Sequence, residues 1–382
     1  MPKEDKKVIK ADRDELAQSI ADALNKMNKD GDKIAYFLDG SDSSPTEFTE
    51  FVSTGATMLD IAVSNRPHGG IAVGRITEIT GLEGSGKSLV CAHLMANTQK
   101  MGGVAVLIDT ETAVNPEFYQ AIGLDLKKLV WVEAPTVEDV FDRMVTLIEH
   151  IRKQPVNKNK IVTIVVDSVA AASTKKEMEA DFAKDGYATD KAIIISKAMR
   201  KITGMIAKEK IALVFTNQLR QKMNAQPFGD QWTTSGGKAI AFHASTRIRL
   251  NHIKKLDNKK KDDEKVIIGV KVEANVIKNR LGPPHRKAEF EIYFDRGIDD
   301  YNSWLDVSTR SGLIKQSGAW YTYVDDTTGE ETKFQSKDFG KFLEEDKERT
   351  DKLYMKICDA LIMKYETEFD PQQVSMMEAA ND

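Results

Sequence analysis

The run Gly81-Leu82-Glu83-Gly84-Ser85-Gly86-Lys87-Ser88 stands between an apolar alternation, RITEIT, and a helix-like stretch, LVCAHLMANTQK. The pattern G-x-x-x-x-G-K-[ST] is meaningful in that setting, as the turn from a strand's carboxyl end into a helix. There the glycines let backbone N–H groups approach a phosphate, and the positive end of the helix favours the anion. Lys87 then reaches the β and γ oxygens of a nucleoside triphosphate, and Ser88 ligates Mg2+. The eight residues Gly81 to Ser88 are thus candidate ligands of ATP and Mg2+.

A strand–loop–helix of this kind needs a sheet around it. From Arg75 onward short β-branched runs alternate with helical patterns: RITEIT, VAVLID, LVWVE, IVTIVVD and IALVFTN. Continuous runs like these suit parallel strands covered on both faces by crossover helices. Further on, TRIRLN, KVIIGVKVEANVIKN and AEFEIYF follow without an intervening helix, which extends the sheet with antiparallel strands. The expected fold is α/β, a mixed and mostly parallel sheet. The connecting segment HIKKLDNKKKDDEK, with six lysines against four acids, reads as a solvated loop at a hairpin tip. Before the sheet, Leu16, Ile20, Ala23, Leu24 and Met27 line one face of a helix over residues 12–28, followed by the apolar run KIAYFL and a polar linker. After Asp299, SWLDVSTRSGLIKQSGAWYTYVDD and a charged helical segment from about Lys337 to Tyr365 suggest a small separate α/β domain. The acidic end of the chain has little to bury, and disorder is expected there.

Composition narrows the partners. A net charge of −4 supplies no global attraction to nucleic acid, so such binding needs a local basic surface. Two cysteines without ligand spacing and six histidines without a metal pattern exclude a zinc site and a Ser/His/Asp hydrolase. No stretch approaches the roughly 20 apolar residues of a membrane span. The expectation is a soluble, cytoplasmic protein.

The chemistry-bearing residues cluster at strand ends. IVTIVVD brings Asp167 to the end of a buried strand, where a carboxylate holds the Mg2+ shell through water. VLIDTE places Asp109 and Glu111 beyond a neighbouring strand, the edge where doubly wound sheets bind ligands. Glu111 is the candidate for orienting and activating water. LVFTNQLRQKM ends in Asn217 and Gln218, neutral groups able to sense a γ-phosphate. The Gly-rich loop after it carries Arg220, Lys222, Trp232 and Lys238, a mixture suited to phosphate contact and base stacking.

Taken in order, the phosphate loop, LIDTE, IVVDSVAAASTKKEME, SKAMRKI, TNQLRQKM, TTSGGKAIAFHAS and VIKNR resemble the RecA recombinase family, phage-encoded members included. The similarity runs from about Ser53 to Asp306 and more weakly beyond. It implies a RecA-type ATPase core in which Lys87 and Ser88 meet phosphate and Mg2+, Asp167 the metal shell, and Glu111 the water. Gln218 becomes the switch between the γ-phosphate and a second DNA loop at about 218–237. The first DNA loop falls at about 177–189. The implied DNA contacts are Lys184, Arg200, Arg220, Lys222, Trp232, Thr234, Ser235, Gly236, Gly237 and Lys238. Lys278 and Arg280 of VIKNR would reach the ATP of the adjacent subunit. Asn115 and Phe118 occupy the adenine-contacting positions, where the family carries an acid and an aromatic residue. Trp232 stands where bacterial members carry an acid, and either adds a stacking contact or alters the coupling.

The implied organisation is a polymerisation arm (1–40), an ATPase core (41–298), a small C-terminal domain (299–370) and an acidic tail (371–382) that either screens the DNA groove or is a plain disordered end. The implied activity is a DNA-dependent ATPase that forms a head-to-tail helical filament on single-stranded DNA. It pairs that strand with homologous duplex DNA and promotes strand exchange. A ring-forming helicase would share the core, but the arm and the GLIKQSGAWYTY segment favour a filament. A non-catalytic filament mediator would not need Lys87, Glu111 and Asp167.

Overall fold

The computed structural model describes residues 14–28, 33–38, 49–112, 114–153, 159–179, 187–207, 209–222, 231–258 and 266–365. The chain divides into two compact units, Met1–Thr49 and Glu50–Asp382. In the first, helix α1 (Glu15–Met27) starts at Asp14, whose carboxylate accepts from Ala17 N at 2.9 Å. Asn25 on this helix fixes the following apolar run, accepting from Ile34 N and Ala35 N and donating to Ala35 O. Leu16, Ile20, Leu24 and Met27 are exposed, the stripe that periodicity indicates.

The second unit opens with β1 (Phe51–Val52), α2 (Thr57–Ser64) and β2 (Ile71–Ala72), then enters the main sheet through β3 (Ile76–Gly81) and α3 (Lys87–Lys100). There follow β4 (Val104–Asp109), α4 (Pro116–Ala121), β5 (Leu129–Glu133), α5 (Val137–Lys153), β6 (Val162–Asp167), α6 (Lys175–Glu179), α7 (Tyr187–Ile206) and β7 (Ile211–Gln221). Next come β8 (Trp232–Thr234), α8 (Ala239–His243), β9 (Thr246–Asn258), β10 (Val266–Asn279), β11 (Lys287–Tyr293) and β12 (Gly297–Asp299). The sheet order is β12-β11-β10-β9-β3-β7-β6-β4-β5, with β8 paired to β7. From β9 to β5 every neighbouring pair is parallel, and β9 to β12 are antiparallel. The sheet is therefore parallel around the phosphate loop and antiparallel on its far side, as the spacing of the strand runs predicts.

Alternation along each central strand feeds two cores. Ala105, Leu107, Val165, Ala212 and Val214 pack with α3 residues Val90, Leu94 and Met95. Val106, Ile108, Ile164, Leu213 and Phe215 pack with Phe141 and Met144 of α5 and with Ile195, Met199, Ile202 and Ile206 of α7. Both cysteines are free and buried.

Two expectations change. The lysine-rich connection is not loop from its start, because β9 continues through Asn258, with Lys254 opposite Lys271 and Lys255 opposite Val270. Cross-strand hydrogen bonding needs no apolar side chains, and ion pairs such as Lys271–Glu289 at 2.8 Å suit a solvated ribbon. Residues 259–265 lie outside the described residues. Nor is the segment from Lys337 to Tyr365 one helix. A new start at Asp346, which caps Arg349 N at 3.0 Å, separates α10 (Phe339–Glu344) from α11 (Lys347–Leu361).

These two helices follow α9 (Tyr301–Arg310) and the antiparallel sheet β13 (Ile314–Ser317), β14 (Trp320–Val324) and β15 (Glu331–Gln335). Tyr323, Phe334, Phe339 and Phe342 form its aromatic core, with Phe334 and Phe342 stacked at 4.5 Å. The segment is tied back to the connection between α2 and β2. Asn65 donates to Met363 O and accepts from Met363 N, and Tyr354 OH accepts from His68 N. The acidic residues 371–382 lie outside the described residues.

Candidate functional site

Gly81 closes β3 between two parallel neighbours, opposite Gln218 of β7 and Leu250 of β9. A methyl group on it would overlap Ser85 Oγ and lie 2.8 Å from Leu250 O. Gly81→Ala is therefore expected to destabilise the loop by about 1–3 kcal/mol through overpacking, read as a lowered melting temperature and a reduced thermal shift on adding ATP. Gly84 (φ +70°) and Gly86 (φ +91°) adopt left-handed backbone that glycine takes without strain. Gly86 caps α3 with no side-chain hydrogen bond, and the first turn holds no acid, so its N–H groups face outward for an anion. Leu82, Glu83 and Gly84 are exposed. Lys87 Nζ lies over the loop, donating to Gly81 O at 3.1 Å and Leu82 O at 2.9 Å. Burial lowers its pKa, while the carboxylates of Asp167 and Glu111 oppose that shift. One ammonium thus feels both predicted carboxylates.

Those carboxylates come from the ends of β6 and β4, which lie side by side with Asp109 opposite Asp167. Thr216 Oγ1 donates to Asp167 Oδ1 at 2.6 Å. Ser168 Oγ donates to Glu111 Oε1 at 2.9 Å, across the cis Asp167–Ser168 junction. Asp109 has a different task. It is buried, its Oδ1 accepts from Glu111 N (2.9 Å) and Thr112 N (3.0 Å), and its Oδ2 accepts from Trp131 Nε1 (3.2 Å). It shapes the turn that presents Glu111, which is exposed. Ser88 is also exposed, on the first turn of α3. Among the described residues no three His, Cys, Asp or Glu side chains converge on a metal position. A hydroxyl and a strand-end carboxylate instead suit Mg2+, which is commonly bound by one or two protein oxygens and by substrate phosphates.

Asn115 and Phe118 lie on α4. Asn115 Oδ1 accepts from Phe118 N at 3.3 Å as the helix cap, and Phe118 packs against the core that contains α3. Of the adjacent pair Asn217 and Gln218 within β7, only Gln218 stays partly exposed. Asn217 is fully buried, and its amide donates to Glu78 Oε1 and Ser235 O, both at 3.1 Å. Its side chain is thus directed into the interior rather than to the sheet edge where Gly81 ends β3.

The Gly-rich loop is shorter than the sequence suggests. β7 runs to Gln221 and pairs with β8, placing Arg220 opposite Thr233 and Leu219 opposite Thr234, and Lys222 N donates to Gln231 O at 2.8 Å. Trp232 is opposite Gln221, and Lys238 caps α8. Gly236 and Gly237 approach Ile195 and Ala192 of α7 with positive φ. Residues 223–230 lie outside the described residues, as does Lys184 of the first loop. Lys191 belongs to no motif in the sequence. Its amine donates to Ala170 O at 2.9 Å, and its pKa is lowered by burial, with the nearby Glu177 opposing and Arg220 reinforcing the shift. It brings the start of α7 and the end of β7 into one electrostatic neighbourhood.

Arg200 is placed elsewhere, and so are the VIKNR cations. Burial lowers the pKa of His243, and Arg200, Lys278 and Arg280 add to the effect, so these four share one neighbourhood. Lys278 Nζ donates to Ala241 O (2.9 Å) and Phe242 O (2.8 Å), and Arg280 N donates to Ser245 O (3.0 Å). Lys278 is opposite Arg247, and Arg247 opposite Glu78. Ser245 N in turn donates to Ile76 O, so Arg280 lies level with the start of β3. At ~3.3 Å per residue that level is about 16 Å along the strand from Gly81. The two cations emerge toward the edge of the sheet opposite their own phosphate loop.

A family model described as the RecA N-terminal domain matches residues 18–299. The chain is 39% identical over 279 residues to Protein RecA of Clostridium acetobutylicum, covering 73% of this chain and 75% of that protein. It is 34% identical over 343 residues to Protein RecA of Clostridioides difficile, covering 90% and 92%. Against Protein RecA of Corynebacterium efficiens it is 35% identical over 345 residues, covering 90% and 83%. Among the described residues no helix is long and apolar enough to cross a membrane.

Proposed function

Because this chain belongs to the RecA family of DNA recombination and repair proteins, we propose that it assembles on single-stranded DNA with ATP as a head-to-tail helical filament. The filament pairs the bound strand with homologous duplex DNA, promotes strand exchange and turns over by DNA-dependent hydrolysis. The observation that carries this reading is the separation within one chain of the phosphate loop, at the end of β3, from Lys278 and Arg280, which lie level with Glu78 and with the start of that strand. Such a chain is completed by a second copy. A repeated heterologous contact of this kind builds an open filament wherever its rotation does not close a ring.

In this reading Lys87 and the N–H groups of residues 82–88 hold the β and γ phosphates. Ser88 and Asp167 would hold Mg2+, which supplies charge neutralisation at the phosphates. Glu111, fixed by Ser168 Oγ and by the turn that Asp109 organises, accepts a hydrogen bond from the attacking water and orients it. Gln218, opposite Gly81, senses the γ-phosphate and passes its state to the 218–237 segment. Arg220, Lys222 and Lys238 meet DNA phosphates, and Trp232 stacks on a base. Lys278 and Arg280 neutralise charge at the neighbour's nucleotide. Residues 1–40 serve as the polymerisation arm, 41–298 as the ATPase core, and 299–370 as a small C-terminal domain.

ATP hydrolysis measured with and without single-stranded DNA, together with joint-molecule formation on homologous duplex, tests the proposal. Stimulation and pairing are expected, both weakening steeply with salt. Absence of both would refute it.

A further inference from the structure

Between the DNA segment and the cation pair lies a polar chain that the core does not need for packing. Glu78 on β3 is fully buried, and its Oε2 accepts from Arg247 Nε of β9 at 2.6 Å. Its other oxygen, Oε1, accepts from Asn217 Nδ2 of β7, and the same amide donates to the backbone oxygen of Ser235, just beyond β8. Asn217 Oδ1 has no partner among the described residues. A buried carboxylate needs Arg247, whereas the asparagine brings a further buried polar group whose own Oδ1 stays unsatisfied. Its value is therefore positional. Arg247 stands opposite Lys278, which is held by the carbonyls of Ala241 and Phe242. Five residues from five segments thus form one path: Ser235, Asn217, Glu78, Arg247 and Lys278.

We propose that Asn217, Glu78 and Arg247 are positioning residues that couple occupancy of the Ser235 segment to the placement of Lys278 and Arg280, so that DNA on one protomer aligns the cations it offers to the next. The inference rests on the functional reading above. A shift of Ser235 pulls on the Asn217 amide. This reorients Glu78, and Arg247 follows because its charge-assisted bond is the stronger of the two that Glu78 accepts. The change arrives beside Lys278, whose ammonium already bears the like charges of Arg280 and Arg247.

The test is steady-state ATP hydrolysis by the full chain over a poly(dT) titration, for the parent, Asn217→Ala and Asn217→Leu. The leucine variant removes both bonds without leaving a cavity, and melting curves verify that each variant folds. At saturating poly(dT), kcat is expected to fall about tenfold or more in both, while half-saturating poly(dT) and the KM for ATP stay within about threefold. A kcat within about threefold of the parent in a folded variant overturns the inference, and so does a loss that more poly(dT) restores. A parent that poly(dT) fails to stimulate overturns the functional reading itself, and this inference with it.

Discussion

Glutamine in place of Glu111 is expected to leave ATP binding near the parental level and to lower DNA-stimulated hydrolysis by about 10²–10⁴-fold, the usual contribution of a positioned general base. The substitution keeps the size of the side chain and an oxygen able to accept from Ser168 Oγ, so the turn built by Asp109 stays intact. It removes only the carboxylate's pull on water. Binding of a fluorescent ATP analogue and phosphate release together decide the matter, and equal turnover by variant and parent would remove Glu111 from its assigned role. Because nucleotide still binds, the variant is also expected to form long-lived DNA complexes, visible as slowed dissociation in an anisotropy assay.

Lys278→Ala is expected to have a comparable effect from a different place. Cations that neutralise transition-state charge from a neighbouring molecule contribute about 10³–10⁵ in kcat. The phosphate loop of the variant is untouched, so each protomer still binds ATP. Mixing makes the origin of the defect readable. A Lys278→Ala protomer retains Glu111, and a Glu111→Gln protomer retains Lys278. Where the first presents its nucleotide to the second, the site is whole. An equal mixture of the two inactive variants is therefore expected to recover up to about a quarter of parental turnover under random head-to-tail assembly. No recovery in mixtures that co-assemble would mean that Lys278 serves its own chain.

Much of this site is local in sequence. The phosphate loop is eight contiguous residues, and Asp167 and Glu111 each follow a β-branched run that ends at the same sheet edge. Asp109 and Glu111 are only two residues apart, yet spacing alone could not divide their tasks. One is buried beneath Trp131 and the other exposed, and that depends on which strand lies alongside. The same holds for Asn217 and Gln218, adjacent and chemically alike. A strand sends successive side chains to opposite faces, so one of them meets Glu78 in the interior while its neighbour does not. Lys191 carried no motif, and its proximity to Arg220 arises only once the start of α7 comes up against the end of β7.

From its amino acids alone, this chain's nucleotide loop, its alternation of strands and helices and its family resemblance could be read, because each depends on neighbours within a few residues or on the order of motifs. Where Arg200, Lys278 and Arg280 lie relative to that loop was settled by the fold. Their positions follow from the register of β3, β9 and β10 and from the packing of α7 against α8, pairings between residues up to 169 positions apart. Hydrogen-bond register has no local signature, so a cation written into one strand acquires its direction only when the sheet is assembled.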